Sequence, residues 1–298
     1  MTRASRALLA DRIATITLWA IALFVVALLA GIIIHFLWAS LGTLSIDFLL
    51  GDPSDFGVGG IGPLLWNSLY MLVLTLILTV PLGILGGIYM AEYARPSRLT
   101  NTIRFSQELI SSVPSIVVGL FGLALFVNAT GWGFTAIAGA LALTVFNLPL
   151  MARLVEQAIR AVPDDERQAS LALGASKWTT IVHVVLPIAI PGLVTAVILS
   201  AGRIFGEAAA LIFTAGLATP SNYDFSNFDI FDSRSPWSPF RSTTTLAVYI
   251  WKINSEGLGS FVRQIADASA AVLVVMVLFF NLAARAFGRV VQRRTSGV

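Results

Sequence analysis

Long apolar stretches, separated by shorter polar ones, dominate the 298 residues of this chain. A run of about 18 or more mostly apolar residues is long enough to cross the hydrocarbon core of a bilayer as an α-helix. The pattern predicts six such helices, and therefore an all-α membrane protein whose two termini lie on the same side of the membrane. The predicted spans cover residues 13–39, 64–90, 109–127, 133–152, 188–214 and 268–288.

The composition requires that most of this apolar surface face lipid. Hydrophobic residues make up 57% of the chain and charged residues 12%, whereas a soluble domain is roughly 25% charged. The numbers exclude an ordinary soluble enzyme, a disordered protein and a small secreted scaffold. The chain has no cysteine, which excludes disulfides and thiolate metal sites. His35 and His183 are too far apart to suggest a metal site, so none is predicted.

The distribution of basic residues predicts the orientation. Arg3, Arg6 and Arg12 precede the first span, but its apolar stretch is much longer than the roughly 7–15 residues of a signal-peptide core, so we predict an uncleaved helix. Fourteen Lys and Arg residues lie in the segments on the side of the termini, and four lie on the opposite side. The positive-inside rule therefore places both termini in the cytoplasm. The net charge of +3 reflects this topology, and no nucleic-acid partner is predicted.

Two hydrophilic loops are longer than simple turns. In the cytoplasmic loop, residues 153–186, Pro163 and Gly174 are placed to begin and end one short helix, and Ser176 is placed to cap a second. The same punctuation also fits a helical hairpin that lies on the membrane or on the protein's own core.

In the external loop, residues 215–267, the aromatic-rich part either docks a soluble protein or forms an interfacial belt. A re-entrant or interfacial helix is predicted near residues 243–253.

The segment from Gln168 to Gly174, followed after nine residues by Val184 to Pro187, resembles the EAA motif of ABC importer permeases. That motif reads Glu-Ala-Ala, three residues, Gly, nine residues and Ile-x-Leu-Pro, and this chain departs from it with Gln168, Ser170 and Val184. The resemblance implies the type I importer permease fold, in which this loop forms a coupling helix that sits in a groove of the ATPase subunit. The coupling residues it implies are Gln168, Ala169, Ser170, Leu171, Gly174, Leu186 and Pro187.

The energy source is expected on other subunits. The chain contains no G-x-x-x-x-G-K-[ST] phosphate-binding loop. The resemblance therefore implies that ATP and Mg²⁺ bind to partner ATPase subunits, with no cofactor and no catalytic residue in this chain. The expected role is that of a transport subunit and not of an enzyme.

Two charged residues lie inside the fifth predicted span. Arg203 and Glu207 are spaced i and i+4, so a continuous helix would place them on one face as a pair. Arg203 follows Pro191 by about 18 Å of helix, near mid-membrane, where a charge costs about 2.5–3.5 kcal/mol. The pair either holds helices together or lines a substrate path in which the guanidinium binds an anion. Gly202 and Gly206 beside it predict the close approach of another helix.

Most of the chain, about residues 55–285, resembles the PstA family, the A-type permease subunits of high-affinity phosphate importers. An arginine in that family's fifth-span motif is implicated in phosphate passage, and Arg203 matches it. The resemblance implies one permease domain (1–298) of an alternating-access phosphate importer in the bacterial inner membrane. The implied partners are a homologous C-type permease, two ATPase subunits and a soluble phosphate-binding protein. The matching segments begin at Gly59, Pro81, Ile88, Ser112, Ala169 and Arg203.

Two alternatives remain open on the sequence. Because an arginine in the path does not choose among anions, the chain also fits an ABC permease for phosphonate or sulfate. A channel or membrane scaffold that needs no ATPase is the alternative from a different class.

Overall fold

The computed structural model describes residues 3–54, 59–218, 223–257 and 261–295. The rest of the chain, including parts of the predicted external loop at 219–222 and 258–260, lies outside the described residues. The described part contains helices and no strand, which confirms the predicted all-α class. The helices are α1 (Arg3–Ser40), α2 (Ile46–Leu50), α3 (Gly62–Ile88), α4 (Arg98–Ser112), α5 (Ser115–Gly122), α6 (Ala136–Arg160), α7 (Asp164–Ala172), α8 (Lys177–Thr180), α9 (Leu186–Gly206), α10 (Ala209–Thr214), α11 (Leu246–Glu256) and α12 (Val262–Thr295).

Three π-helical turns extend these helices, and each continues one without a break. The turns cover Tyr89–Tyr93 after α3, Leu123–Asn128 after α5 and Ile181–Val185 before α9. In the part of the chain that the structure describes, five helical stretches are long and apolar enough to cross a membrane, and a bent pair of helices makes six if it is counted as one span. The five are Asp11–Ser40, Gly62–Tyr93, Ala136–Arg160, Lys177–Gly206 and Val262–Val290.

The third predicted span, 109–127, differs from the structure because the chain turns sharply within it. Helix α4 meets the α5 stretch at an angle of 98°. Pro114 lacks the N–H that would continue α4, and its ring disfavours a helical conformation at the residue before it. Val113 accordingly has an extended conformation, with φ −64° and ψ 133°. The polar helix α4 therefore packs across the end of α6, while α5 continues the apolar crossing.

The fifth predicted span, 188–214, is also interrupted. Helix α9 ends at Gly206, and Glu207 has an extended conformation, with φ −78° and ψ 118°. Helix α10 starts two residues later, and the Glu207 carboxylate accepts a hydrogen bond of 3.2 Å from the backbone N–H of Ala210. The side chain thus satisfies a backbone donor that the break in the helix sets free.

Helices α3, α6 and α9 form the centre of the bundle. Small residues allow α3 and α6 to approach closely, since a Cβ at Gly83 or Gly87 would overlap the side chains of Met151 and Val155. Helix α12 packs on α9, and α1 packs on α12. None of the most apolar 18-residue window of α1 is buried, so α1 lies at the periphery.

Candidate functional site

The EAA segment, defined here as residues 163–187, contains the short helix α7 and the start of a longer helix, because α8 continues through the π-helical turn into α9. Gly174 ends the first with φ +85°, in the left-handed region that favours glycine. The Ser176 hydroxyl caps the second by accepting the N–H of Thr179 at 3.1 Å. The predicted glycine turn between two helices is present, but the second helix is not a separate short one, since it runs from Lys177 to Gly206.

The motif residues divide into an outward and an inward group. Gln168, Ala169, Leu171 and Gly174 are exposed. Nearby, Leu173 exposes 91% of its surface, although its side chain is apolar. The inward group is partly buried: Ser170 shares a hydrogen bond of 2.9 Å with Thr180, and Leu186 and Pro187 lead into α9. The segment therefore presents a free face with an apolar protrusion.

Arg167, which directly precedes the motif, has a role that the sequence analysis missed. Its guanidinium contacts the Glu92 carboxylate at 3.0 Å, and both side chains are largely buried. It also donates hydrogen bonds to the carbonyls of Ile159 and Val162 at 2.7 and 2.6 Å. The sequence signal for such a partner is Glu92, an acidic residue at the end of an apolar span, where a basic residue is needed to balance its charge.

Arg203 and Glu207 do not share one continuous helix face as the spacing predicts, because α9 ends between them, but Glu207 remains near enough to attract Arg203 electrostatically. No ion pair joins them among the described residues. Glu207 instead caps the first turn of α10, as described above. Arg203 stacks on the ring of Phe146 from α6, with 3.6 Å between the guanidinium carbon and the ring centroid.

The Arg203 contact is a cation–π interaction. Phe146 is buried, whereas Arg203 is only partly buried. Stacking occupies one face of the guanidinium, and the side chain makes no hydrogen bond to any described residue. The N–H edges of Arg203 are therefore available to a bidentate anion such as phosphate, sulfate or carboxylate.

No described helix of this chain packs against Gly202 or Gly206, because a Cβ at either position would meet no atom within 4 Å; the predicted close approach of another helix stays a prediction. A cavity of about 350 Å³ opens beside this glycine face. It lies between α5, the α9–α10 break and α11. Its lining includes Ser115, Gly206, Glu207, Phe213 and Trp251. The break in the fifth span thus borders an open, largely apolar cleft, whose lining residues Gly206 and Trp251 are exposed in this chain.

A charged network joins α4 to α6 near the EAA segment. One carboxylate oxygen of Glu156 contacts Arg104 at 2.8 Å and Arg160 at 3.1 Å. Glu108 and Arg153 form a second ion pair between the same helices, at 3.0 Å. Because the Glu156 side chain is only 8% exposed, this network is less screened by solvent than a surface pair.

At the opposite end of the bundle, the loop between α10 and α11 is anchored by a buried arginine. Arg241 is 1% exposed and donates hydrogen bonds to the Tyr223 hydroxyl at 2.5 Å and the Pro236 carbonyl at 3.1 Å. The rings of Tyr70 and Tyr223 lie 5.2 and 4.8 Å from its guanidinium carbon. Burial lowers the pKa of Arg241, and the Coulombic effect of Tyr223 and then Tyr70 opposes this shift.

The outer surface of this loop is aromatic. Phe228 stacks on Trp237, and Phe231 stacks on Phe240. Phe228 and Phe231 are exposed by 71% and 76%. The two interpretations from the sequence, docking of a soluble protein and an interfacial belt, both stay predictions. The predicted short helix after this region is present as α11.

Comparison with known proteins identifies the chain's family. Residues 83–297 match the family described as binding-protein-dependent transport system inner membrane component. The chain belongs to this family of importer permeases. Its role is therefore transport across a membrane that it crosses several times, and the alternative of a channel or scaffold outside this family is not supported.

Two relatives show how far the likeness extends. The permease is 48% identical over 285 residues to the probable ABC transporter permease protein YqgI of Bacillus subtilis, covering 95% of this chain and 97% of that protein. It is 36% identical over 245 residues to the phosphate transport system permease protein PstA of Mycobacterium leprae, covering 82% and 75%. The resemblance to PstA proteins noted in the sequence is thus confirmed.

A solved structure supports the fold. A chain of the bacterial alginate ABC transporter, crystallised with a periplasmic protein bound to an alginate pentasaccharide, superposes with a TM-score of 0.67. The match covers 98% of this chain and 99% of that chain at 15% identity. This likeness confirms the predicted type I importer permease fold.

Proposed function

We propose that this permease is the membrane subunit that carries inorganic phosphate in an ATP-driven importer. The observation that carries the proposal is Arg203, a cation in the fifth span that is stacked on Phe146. It forms no direct ion pair with any described carboxylate, although Glu207 attracts it electrostatically. A guanidinium with free N–H edges matches the oxygen atoms of phosphate. Relatives named as phosphate transport permeases, about 36% identical, support the choice of anion.

The proposed mechanism is alternating access. Two partner ATPase subunits bind ATP and Mg²⁺, close on each other and displace the EAA segment. The residues of this segment that couple it to the ATPase are Gln168, Ala169, Ser170, Leu171, Gly174, Leu186 and Pro187. The chain, a single permease domain, pairs with a homologous C-type permease in the inner membrane with its termini in the cytoplasm. A soluble binding protein delivers phosphate on the external side, and phosphate passes Arg203 on its way inward.

Glu207 has a different part in this mechanism from the one its spacing suggests. Its carboxylate lies in the wall of the cavity beside the glycine face and is held by the N–H of Ala210. A carboxylate close enough to act on Arg203 also repels an anion bound there, which offsets part of the attraction of the guanidinium. Glu207 therefore favours release over tight binding, as a transport path requires.

The test is uptake of radiolabelled phosphate into proteoliposomes that hold the complete complex, with ATP inside and binding protein outside. We expect ATP-dependent uptake in the unmodified complex, a loss of at least tenfold in Arg203→Ala, equivalent to about 1.4 kcal/mol, and partial recovery in Arg203→Lys. Arg289→Ala, which removes an exposed arginine near the end of α12, is the matched control and should transport normally.

Competition decides the substrate. Excess unlabelled sulfate or phosphonate should leave phosphate uptake unchanged. Uptake of sulfate or phosphonate in place of phosphate would replace the proposed substrate and keep the transporter. Normal uptake by Arg203→Ala would show that the stacked arginine serves helix packing only.

A further inference from the structure

The EAA segment and α3 are far apart in the chain but are joined by a buried ion pair. Arg167 lies in α7, and Glu92 lies in the π-helical turn that ends α3. Their side chains are 15% and 10% exposed, and the guanidinium Nε lies 3.0 Å from a carboxylate oxygen. Since water reaches this pair poorly, its attraction is stronger than that of an exposed pair at the same distance.

Arg167 uses the rest of its guanidinium to fix itself to the end of α6. One terminal nitrogen donates to the Ile159 carbonyl at 2.7 Å, and the other donates to the Val162 carbonyl at 2.6 Å and to Asp164 at 3.0 Å. Four partners on three sides leave the guanidinium little freedom to rotate. The ion pair to Glu92 is therefore a stiff connection and not a loose surface contact.

Helix α8 adds a second contact to the same turn of α3. Lys177 donates a hydrogen bond to the Glu92 carbonyl, and its ammonium lies 4.6 Å from the centroid of the Tyr93 ring. Both helices of the EAA segment thus contact the end of α3. The segment continues covalently into α6 and α9, but its connection to α3 depends on side-chain contacts.

We propose that the Arg167–Glu92 pair carries the displacement of the EAA segment to α3, so that α3 moves with α7 when the ATPase subunits close. Both are positioning residues in the coupling step, and the proposal rests on the proposed function only in requiring ATP-driven movement of this segment. The consequence reaches the substrate path because α3 packs tightly on α6 through Gly83 and Gly87, and α6 supplies the Phe146 ring that holds Arg203.

The chain contains its own matched control. Asp164 contacts the same arginine at the same distance of 3.0 Å, but its side chain is 84% exposed. Glu92→Gln and Asp164→Asn each remove one negative charge with little change of shape. If burial and the link to α3 matter, only Glu92→Gln should impair coupling.

The first measurement is the number of ATP molecules hydrolysed per phosphate transported by the complete complex in proteoliposomes. We expect this ratio to rise by about fivefold or more in Glu92→Gln, within the range of typical coupling effects, and to stay unchanged in Asp164→Asn. Equal ratios in Glu92→Gln and the unmodified complex would overturn the proposal. So would a parallel fall of hydrolysis and uptake, which indicates a structural role alone.

A double variant guards against misfolding. Glu92→Gln combined with Arg167→Gln leaves neither charge unpaired, and it should hydrolyse ATP while transporting as poorly as Glu92→Gln. Normal coupling in this double variant would also overturn the proposal, because the link to α3 would then be dispensable.

The second measurement does not depend on the substrate. The chain has no native cysteine, so spin labels at Asp165→Cys on α7 and Ile77→Cys on α3 report their separation in the full complex. The separation should stay constant between nucleotide-free and ATP-bound states, and it should change in the Glu92→Gln background. A change already present without Glu92→Gln would refute the pair as a link, whereas failed phosphate uptake with constant separation would refute only the substrate.

Discussion

Replacing the buried Arg241 by methionine should cost little stability, although the residue is charged and fully enclosed. Placing a lone cation in the interior costs several kcal/mol, and no carboxylate forms an ion pair with Arg241 among the described residues. Its two hydrogen bonds return about 1.5–3 kcal/mol each, and its two ring contacts return about 1 kcal/mol or more each. The gains and the cost nearly cancel, which predicts a change of about 1 kcal/mol or less.

The small effect also depends on what the substitution leaves behind. The Pro236 carbonyl keeps the hydrogen bond from the Trp66 indole at 3.0 Å. The Tyr223 hydroxyl keeps its hydrogen bond to the Asn67 side chain, also at 3.0 Å. Arg241→Met therefore leaves neither of these buried polar groups without a partner, and such orphaned groups are the usual source of large losses.

Asn67→Leu is the informative comparison. Asn67 is fully buried; it accepts from Tyr223 and donates to the Thr244 carbonyl at 3.0 Å. Leucine removes both bonds, at a cost of about 1–3 kcal/mol for each group left unpaired. The neutral substitution should thus destabilise the protein more than the loss of the charged residue.

The assay is thermal unfolding of the purified complex in lipid nanodiscs, followed by tryptophan fluorescence. At about 2–4 °C per kcal/mol for a domain of roughly 150–250 residues, Arg241→Met should shift the midpoint by about 4 °C or less. Asn67→Leu should lower it by more than that. A larger fall in Arg241→Met than in Asn67→Leu would refute the reasoning that the arginine is nearly balanced.

Three further changes test other parts of the structure. Phe146→Leu removes a partly desolvated cation–π contact of about 2 kcal/mol and should raise the KM for phosphate uptake by up to about 30-fold. Phe146→Tyr keeps the ring and should leave the KM unchanged. If both substitutions change the KM equally, stacking on Arg203 is not the role of Phe146. Gly87→Leu should lower the yield of folded protein in size-exclusion chromatography because its side chain overlaps Val155, and Val155→Ala should restore part of it. Gly174→Val strains a backbone position at φ +85° by about 1–2 kcal/mol. It should reduce phosphate uptake in proteoliposomes more than Gly174→Ala does. Normal transport by Gly174→Val would contradict a coupling role of the glycine turn.

Local chemistry made some parts of the fold predictable from the sequence. Pro163 and Gly174 mark the ends of α7 because the missing N–H of one and the left-handed conformation of the other act on their own backbone positions. The long apolar runs predicted the membrane helices for a similar reason: a span is defined by length and composition alone. Neither prediction needs knowledge of which helices touch.

The predictions that failed depend on contacts between distant parts of the chain. The apolar pattern continues across Glu207 without a proline, so no local sequence signal predicts the end of α9. The i,i+4 rule then placed Arg203 and Glu207 on one helix face, whereas the side chain that Arg203 contacts directly is Phe146, on α6 and far away in the sequence. Pro114 is a local signal for the bend, but the span was predicted from the average hydrophobicity of residues 109–127, which does not register a single proline. The link between Glu92 and Arg167 likewise follows from tertiary packing.

The peripheral position of α1 has a consequence for how the protein is made. No residue of its most apolar window is fully buried against the rest of the chain, and lipid gives helices no hydrophobic reason to associate. The helix is therefore stable in the bilayer before the following spans have been synthesised. During translation it can insert alone and fix the direction in which the next helices thread, while the central helices become stable only when their partners have arrived. Shortening the apolar stretch of α1 should accordingly lower the fraction of correctly inserted chains and leave the packing of those that insert unchanged.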